Sequence, residues 1–212
     1  LMIMSTAGFM FGTGGSAIVA KTFGEGNKER ANKVAGQGAF IAILSYLLFA
    51  IVGTLTIKPY FELYLEFMSS EMSPESRELV INNGISYLTI CFIGSFGFFC
   101  QVVCEKYMQS TGKTTLSMTT QLVGAIINII LDPILIYGLF FIPALGIKGA
   151  AYATITGQIA SALVGMYLQK HKNTEIEIKL HHIKPDKKII SDIFKIGLPS
   201  ILMNSVGSIM TA

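Results

Sequence analysis

Charge is scarce in this chain of 212 residues. Only 14% of it is Asp, Glu, Lys or Arg, against roughly 25% in soluble domains, which argues against a soluble fold and a nucleic-acid partner. Tryptophan is absent, so an aromatic belt at a membrane interface has to come from Tyr and Phe. The three cysteines, Cys91, Cys100 and Cys104, share one apolar run. An odd count in such a place is no disulfide scaffold, so they read as buried free thiols. Cys100 and Cys104 lie on one helix face, but no His or further Cys joins them, which speaks against a structural metal. Enzyme signatures are missing as well. No HExxH, Ser–His or Ser–Lys pair, or paired aspartates fall within the apolar runs, which disfavours an intramembrane enzyme. Gly112-Lys113-Thr114 looks like part of a phosphate loop, but the Walker pattern needs Gly at position 107 and Tyr107 stands there.

What the chain does contain is apolar length. Hydrophobic residues make up 51%, mean hydropathy is +0.58, and 21 glycines suit closely packed membrane helices. The predicted fold class is all-α, a polytopic membrane helix bundle. Spans are expected over about 1–20, 36–57, 83–104, 116–142 and 149–169, with a sixth beginning at Ile196. Leu1 opens in an apolar run without a basic leader, and Ala212 stops inside another, so an internal piece of a longer protein is expected. Gly24 and Gly26 should break the first helix ahead of a short charged surface helix, and Pro59 should stop the second span. Ser73 and Pro74 read as N-cap and first position of the third helix. Glycine, alanine and serine recur every fourth residue at Gly8, Gly12, Ser16 and Ala20, and again at Gly149, Ala153, Gly157, Ser161 and Gly165. Such faces predict tight contact with neighbouring helices. Residues 170–195 carry seven lysines and four acids and read as a linker. Within it, Ile189, Ile190, Ile193 and Phe194 suit an amphipathic surface helix, and His181 and His182 read as solvated. Pro199 is expected in the first turn of the segment beyond.

Asp132 is the one acid placed in the interior of an apolar run; the others fall in loops or at run ends. An acid there costs about 2.5–3.5 kcal/mol on insertion scales, so function is the default reading. Asn128 stands one turn before it on the same face. Pro133 has no N–H and leaves the Ile129 carbonyl without its helical donor. An amide oxygen, a carboxylate and a carbonyl are hard donors suited to a small cation or a proton. The competing reading is a polar pair joining two helices. Thr114, Ser117, Gln121, Asn128 and Asp132 form one stripe, which fits a wall of a water-filled or substrate cavity or, alternatively, a polar helix contact. Tyr87 and Gln101 are further wall candidates. Thr154 and Thr156 can reach a cavity, although such threonines often bond their own backbone.

Loop charges alternate. Loops after the first, third and fifth spans are lysine-rich; those after the second and fourth hold Glu62, Glu66, Glu71, Glu75 and Glu78, or only Lys148. The lysine-rich side is expected to be cytoplasmic.

Four stretches now carry a resemblance. Gly12-Thr-Gly-Gly-Ser-Ala-Ile-Val-Ala-Lys-Thr-Phe-Gly-Glu-Gly-Asn-Lys-Glu-Arg-Ala31, Gln109-Ser-Thr-Gly-Lys-Thr114, Asn128-Ile-Ile-Leu-Asp-Pro-Ile-Leu-Ile-Tyr-Gly138 and Leu145-Gly-Ile-Lys-Gly-Ala-Ala-Tyr-Ala-Thr154 resemble multidrug and toxic compound extrusion transporters, in the right order. The resemblance implies helices two to six and the start of seven of a two-lobed bundle with parallel repeats. It divides the chain into residues 1–169, a first lobe without its first helix; 170–195, a cytoplasmic inter-lobe linker; and 196–212, the start of a second lobe missing from this sequence. It also implies a plasma (inner) membrane antiporter exporting small-molecule drugs, often organic cations, in exchange for Na⁺ or H⁺, with no cofactor. Asn128 and Asp132 match two residues of a first-lobe cation site in some branches, and Thr154 and Thr156 compete for a third; its helix-one Asp falls outside this sequence. A lipid-linked oligosaccharide flippase of a related superfold is the alternative, disfavoured because no Lys or Arg lies inside a span.

Overall fold

The computed structural model describes residues 2–68, 73–139, 143–177 and 185–210. Among these residues the regular structure is all helix, without a strand: α1 Met2–Gly24, α2 Lys28–Met68, α3 Pro74–Gly94, α4 Phe96–Ser110, α5 Thr114–Tyr137, α6 Ile147–His171 and α7 Lys187–Met210. By length and composition α2 and α5 can each cross a membrane alone, and α3 with α4 can do so as one bent span. The readings of Glu71, His181 and His182 lie outside the described residues.

The small-residue faces set the packing. α5 lies most extensively on α6. A Cβ on Gly157 would stand 2.8 Å from the Gly124 carbonyl, and one on Gly165 would stand 3.1 Å from Cys104 Cβ, so α4 and α5 both approach α6 at positions that tolerate almost no side chain. Gly8 and Gly12 of α1 meet Phe98, Val102 and Lys106 of α4 in the same way; Ala20 at the end of that face is exposed. Leu44, Leu48, Ile51 and Leu55 of α2, and Leu122, Ile126, Ile129 and Ile130 of α5, are exposed. Apolar ridges of this length fit a lipid-facing surface rather than a wet one.

Four boundaries depart from expectation. The charged stretch from Lys28 is continuous with the second span in one helix of 41 residues, and Pro59 lies inside that helix, which is about 60 Å long at 1.5 Å per residue. A proline inside a long helix removes one hydrogen bond without ending it when neighbouring packing holds both arms; Phe92 against Gly53 and Phe61 against Gly84 bring α2 and α3 together on either side. The third span breaks at Ser95 with a 46° bend. The Ser95 hydroxyl donates to the Phe92 carbonyl at 2.7 Å, competing with the backbone ladder, and Gly94 and Gly97 flank it, a usual composition for a kink. α7 starts at Lys187, so Pro199 lies well inside it. Its early turns are no surface helix either: Ile193 is fully buried with Ile18, Val19, Val34, Ala35, Ile41, Tyr107 and Ile176. The reason is close approach, since Gly14 of α1 leaves room for the Ile193 carbonyl and the Gly197 backbone. The start of α3 matches the reading, with Ser73 Oγ accepting from Ser76 N–H and Pro74 first in the helix; α5 closes at Gly138, at φ 75°, a conformation that glycine adopts freely.

Candidate functional site

The site lies where α4, α5 and α6 converge. A cavity of about 270 Å³ is lined by Phe98 and Gln101 from α4, Gln121 and Asn128 from α5, and Thr154 and Gln158 from α6, among others. Each helix contributes its polar positions at helical spacing: Gln121 and Asn128 are two turns apart on α5, as are Thr154 and Ser161 on α6. The crossing at Gly124 and Gly157 brings the two stripes face to face.

At one end stands Asn128 with Asp132. With its amide oriented to satisfy both neighbours, Asn128 Nδ2 donates to Asp132 Oδ2 at 3.2 Å and its oxygen accepts from the Thr154 backbone N–H at 3.2 Å. The nitrogen faces the carboxylate, because α6 occupies the oxygen. Thr154 is beside the pair, with its hydroxyl donating to the Ala150 carbonyl at 2.9 Å. Thr156 is exposed, donates to Tyr152 and is not part of this cluster; two residues along a helix turn a side chain about 200° away. Tyr87 lines a different hollow, with Tyr60, Phe61, Asn83 and Ile147, although its phenol lies toward Thr154 and Cys91 and within the field of Asp132. Ser117 is buried and accepts from Gln109 Nε2 at 2.9 Å, whereas Thr114 is exposed.

At the other end stands a residue that sequence reasoning passed over. Glu105 is 5% exposed. Gln101 Nε2 donates to its Oε1 and Gln121 Nε2 to its Oε2, both at 2.8 Å, and Thr120 Oγ1 is 3.2 Å from Oε1. In sequence Glu105 falls at a run end, just past Cys104. The signal available was Gln101 four residues earlier on the same face, once the helix is taken past Cys104 to Ser110. Gln101 and Gln121 therefore line the cavity, and both also hold this acid. Among the described residues no three His, Cys, Asp or Glu side chains gather into a metal-binding group.

The comparisons with known proteins agree with this architecture. The chain is 30% identical over 203 residues to a probable multidrug resistance protein, YoeA, of Bacillus subtilis, a match covering 94% of this chain and 41% of that protein. It is 29% identical to the multidrug export protein MepA of Staphylococcus haemolyticus, covering 95% and 41%. A solved inward-facing multidrug resistance MATE family transporter of the MOP superfamily superposes with a TM-score of 0.81 at 27% identity, over 95% of this chain and 43% of that one. The chain thus spans about two fifths of the length of these relatives. The MatE family model matches residues 1–134, and the chain belongs to the MatE family of membrane transporters.

Proposed function

We propose that the complete protein is a secondary active multidrug exporter of the plasma membrane, expelling small organic, often cationic, compounds in exchange for Na⁺ or H⁺. The observation that carries this is the Asn128–Asp132 pair, tied to Thr154 across the α5–α6 contact, at one end of a polar cavity between three helices. An acid and its amide partner in a spanning helix are costly unless used, and the relatives are named for drug resistance and export. Asp132 takes the coupling ion, Asn128 positions its carboxylate and Thr154 anchors Asn128. Ion binding removes the cost of a bare charge and lets α5 repack about Pro133, biasing one face of the transporter over the other, as any ligand with differential affinity does. With its nitrogen toward Asp132 the Asn128 amide satisfies the carboxylate without an ion; reversed, it offers Na⁺ or a protonated Asp132 its oxygen and gives up Thr154. In this reading the lysine-rich loops are cytoplasmic, residues 1–169 belong to one lobe, and 170–195 lead toward a second lobe that completes the substrate cavity. The flippase alternative gains no support from the cavity, whose lining includes no Lys or Arg to meet a pyrophosphate. The test is efflux of a lipophilic cation by the full-length protein with Asp132→Asn under imposed pH and Na⁺ gradients. Loss of gradient-driven efflux with normal membrane expression is expected; unchanged efflux and unchanged cation dependence would sink the role of Asp132.

A further inference from the structure

The Thr120 hydroxyl has one hydrogen and two neighbours that can accept it. The Ser117 carbonyl is 2.7 Å away and Glu105 Oε1 is 3.2 Å away. Thr120 itself is fully buried, so no bulk water serves either group. Two complete hydrogen-bond patterns follow from one set of heavy-atom positions. With Glu105 ionised, Thr120 turns its hydrogen to Oε1, and the carboxylate accepts from Thr120, Gln101 and Gln121 together. With Glu105 protonated on Oε1, Thr120 turns its hydrogen to the Ser117 carbonyl, and its lone pair accepts the new Glu105 O–H. Gln101 and Gln121 keep their bonds in both states, since each carboxyl oxygen has lone pairs to spare. A buried polar group is costly only when a state leaves it unmatched, and here neither state does.

The geometry points to a second ion site at Glu105, selective for the proton, with Thr120 as the positioning residue whose rotation matches both protonation states. A proton arrives from water in the cavity that Gln101 and Gln121 line, forms one O–H bond on Oε1 and leaves by the same route; no other bond changes. The donor set favours a proton over a metal cation, because both side chains reaching the carboxylate from the cavity side present an N–H, and Na⁺ requires both amides to reverse and present oxygens. The charged and titratable surroundings are few. α4 itself contributes Cys104 and Lys106, the latter donating to Gln109 Oε1 at 3.3 Å. α5 brings Asp132, bonded to Asn128 of the cavity wall. α6 presents Ser161, which donates to the Thr120 carbonyl at 2.8 Å, and Gly165, packed on Cys104 and Thr120. α1 has no titratable side chain before Lys21.

The purpose of the site rests on the exporter reading, but its occupancy is measured without transport. The experiment is infrared difference spectroscopy of the purified full-length protein between acid and alkaline pH, in the absence of Na⁺ and with it. Wild type is expected to show a protonated-carboxyl stretch that persists in Asp132→Asn, is lost in Glu105→Gln and is unmoved by Na⁺. Thr120→Val, which keeps the acid and removes the rotor, should shift the frequency of that band and the pH at which it appears, and Thr120→Ser should restore both. A band set unchanged in Glu105→Gln overturns the site; a Thr120→Val spectrum equal to wild type overturns the rotor; a Glu105 band displaced by Na⁺ overturns the selectivity. Where Glu105→Gln does not fold, the Thr120 pair carries the test. Loss of export in Asp132→Asn with the Glu105 band intact, or the reverse, separates this site from the one at Asp132.

Discussion

Gly124→Ala is the sharpest test of how the site is held together. Gly124 is buried on α5 beside α6, and a methyl added there would overlap Ser161 Oγ and stand 3.0 Å from the Gly157 carbonyl and 3.2 Å from Ser161 Cβ. The hydroxyl must turn away, which removes its bond to the Thr120 carbonyl. Overpacking of this kind costs about 1–3 kcal/mol, and the lost hydrogen bond adds about 0.5–1.5 kcal/mol, so a destabilisation of about 2–4 kcal/mol is expected. Ser161→Ala alone should cost only the hydrogen bond. Because it also removes the overlapping atom, the double variant should recover about 1–2 kcal/mol of the sum, a coupling in the range found for residues in contact. Thermal unfolding of the full-length protein in detergent, read by size-exclusion fluorescence for the four variants of the cycle, measures this. Additive effects, or a Gly124→Ala protein as stable as wild type, would refute the claim that this crossing sets the α5–α6 spacing.

Other consequences are read with the same assay. Asn173→Ala should lower stability by about 1–3 kcal/mol, because Asn173 is fully buried, its Oδ1 accepts from the Thr111 hydroxyl, and its Nδ2 donates to Gln169 Oε1; a loss below about 0.5 kcal/mol contradicts that network. Tyr107→Phe removes a 2.7 Å bond to the Ala35 carbonyl and should cost about 0.5–1.5 kcal/mol, with no change in the Glu105 band. Glu175→Ala should matter little, within about 1 kcal/mol, since Lys113 and Glu175 are both partly exposed at 3.3 Å and Lys113 keeps its bond to the Lys172 carbonyl. Measured by gradient-driven efflux, Thr154→Val and Thr156→Val should both leave transport unchanged, because Asn128 is held by the Thr154 backbone N–H and each hydroxyl bonds its own helix; loss of efflux in Thr154→Val would contradict a backbone anchor.

The helical class, the small-residue contacts and the Asn128–Asp132 pair were legible because each rests on a local period: apolar length, spacing by four, one turn between two polar groups. Breaks were less legible because they depend on partners distant in sequence. Pro59 ends a helix in isolation, yet here α3 supports the chain on both sides of it. Ile193 has the spacing of a surface helix, and only the glycine at position 14 of another helix makes it a core residue. Glu105 was hidden for a related reason. Its three partners come from two helices, and Thr120 and Gln121 are 15 and 16 residues away, so a carboxylate that looks like a run end is satisfied only after folding.

The bend at Ser95 connects these features. Small residues draw α4 and α5 closely against α6: a Cβ on Gly97 would stand 2.9 Å from the Ile159 nitrogen. The 46° turn directs α4 across α6 at Gly97, and Phe98 and Gln101, the next residues along, line the opening. Further along, α4 returns to contact α6 at Cys104 and Gly165. Glu105 follows immediately, where α5 supplies Thr120 and Gln121. The same small residues that make the bundle tight thus confine the polar groups of three helices to one gap, whose wall includes Asn128, bonded to Asp132, and Gln101 and Gln121, bonded to Glu105. Amides between the two acids leave each carboxylate with its own donors and no shared proton, which is the arrangement two separately occupied ion sites require.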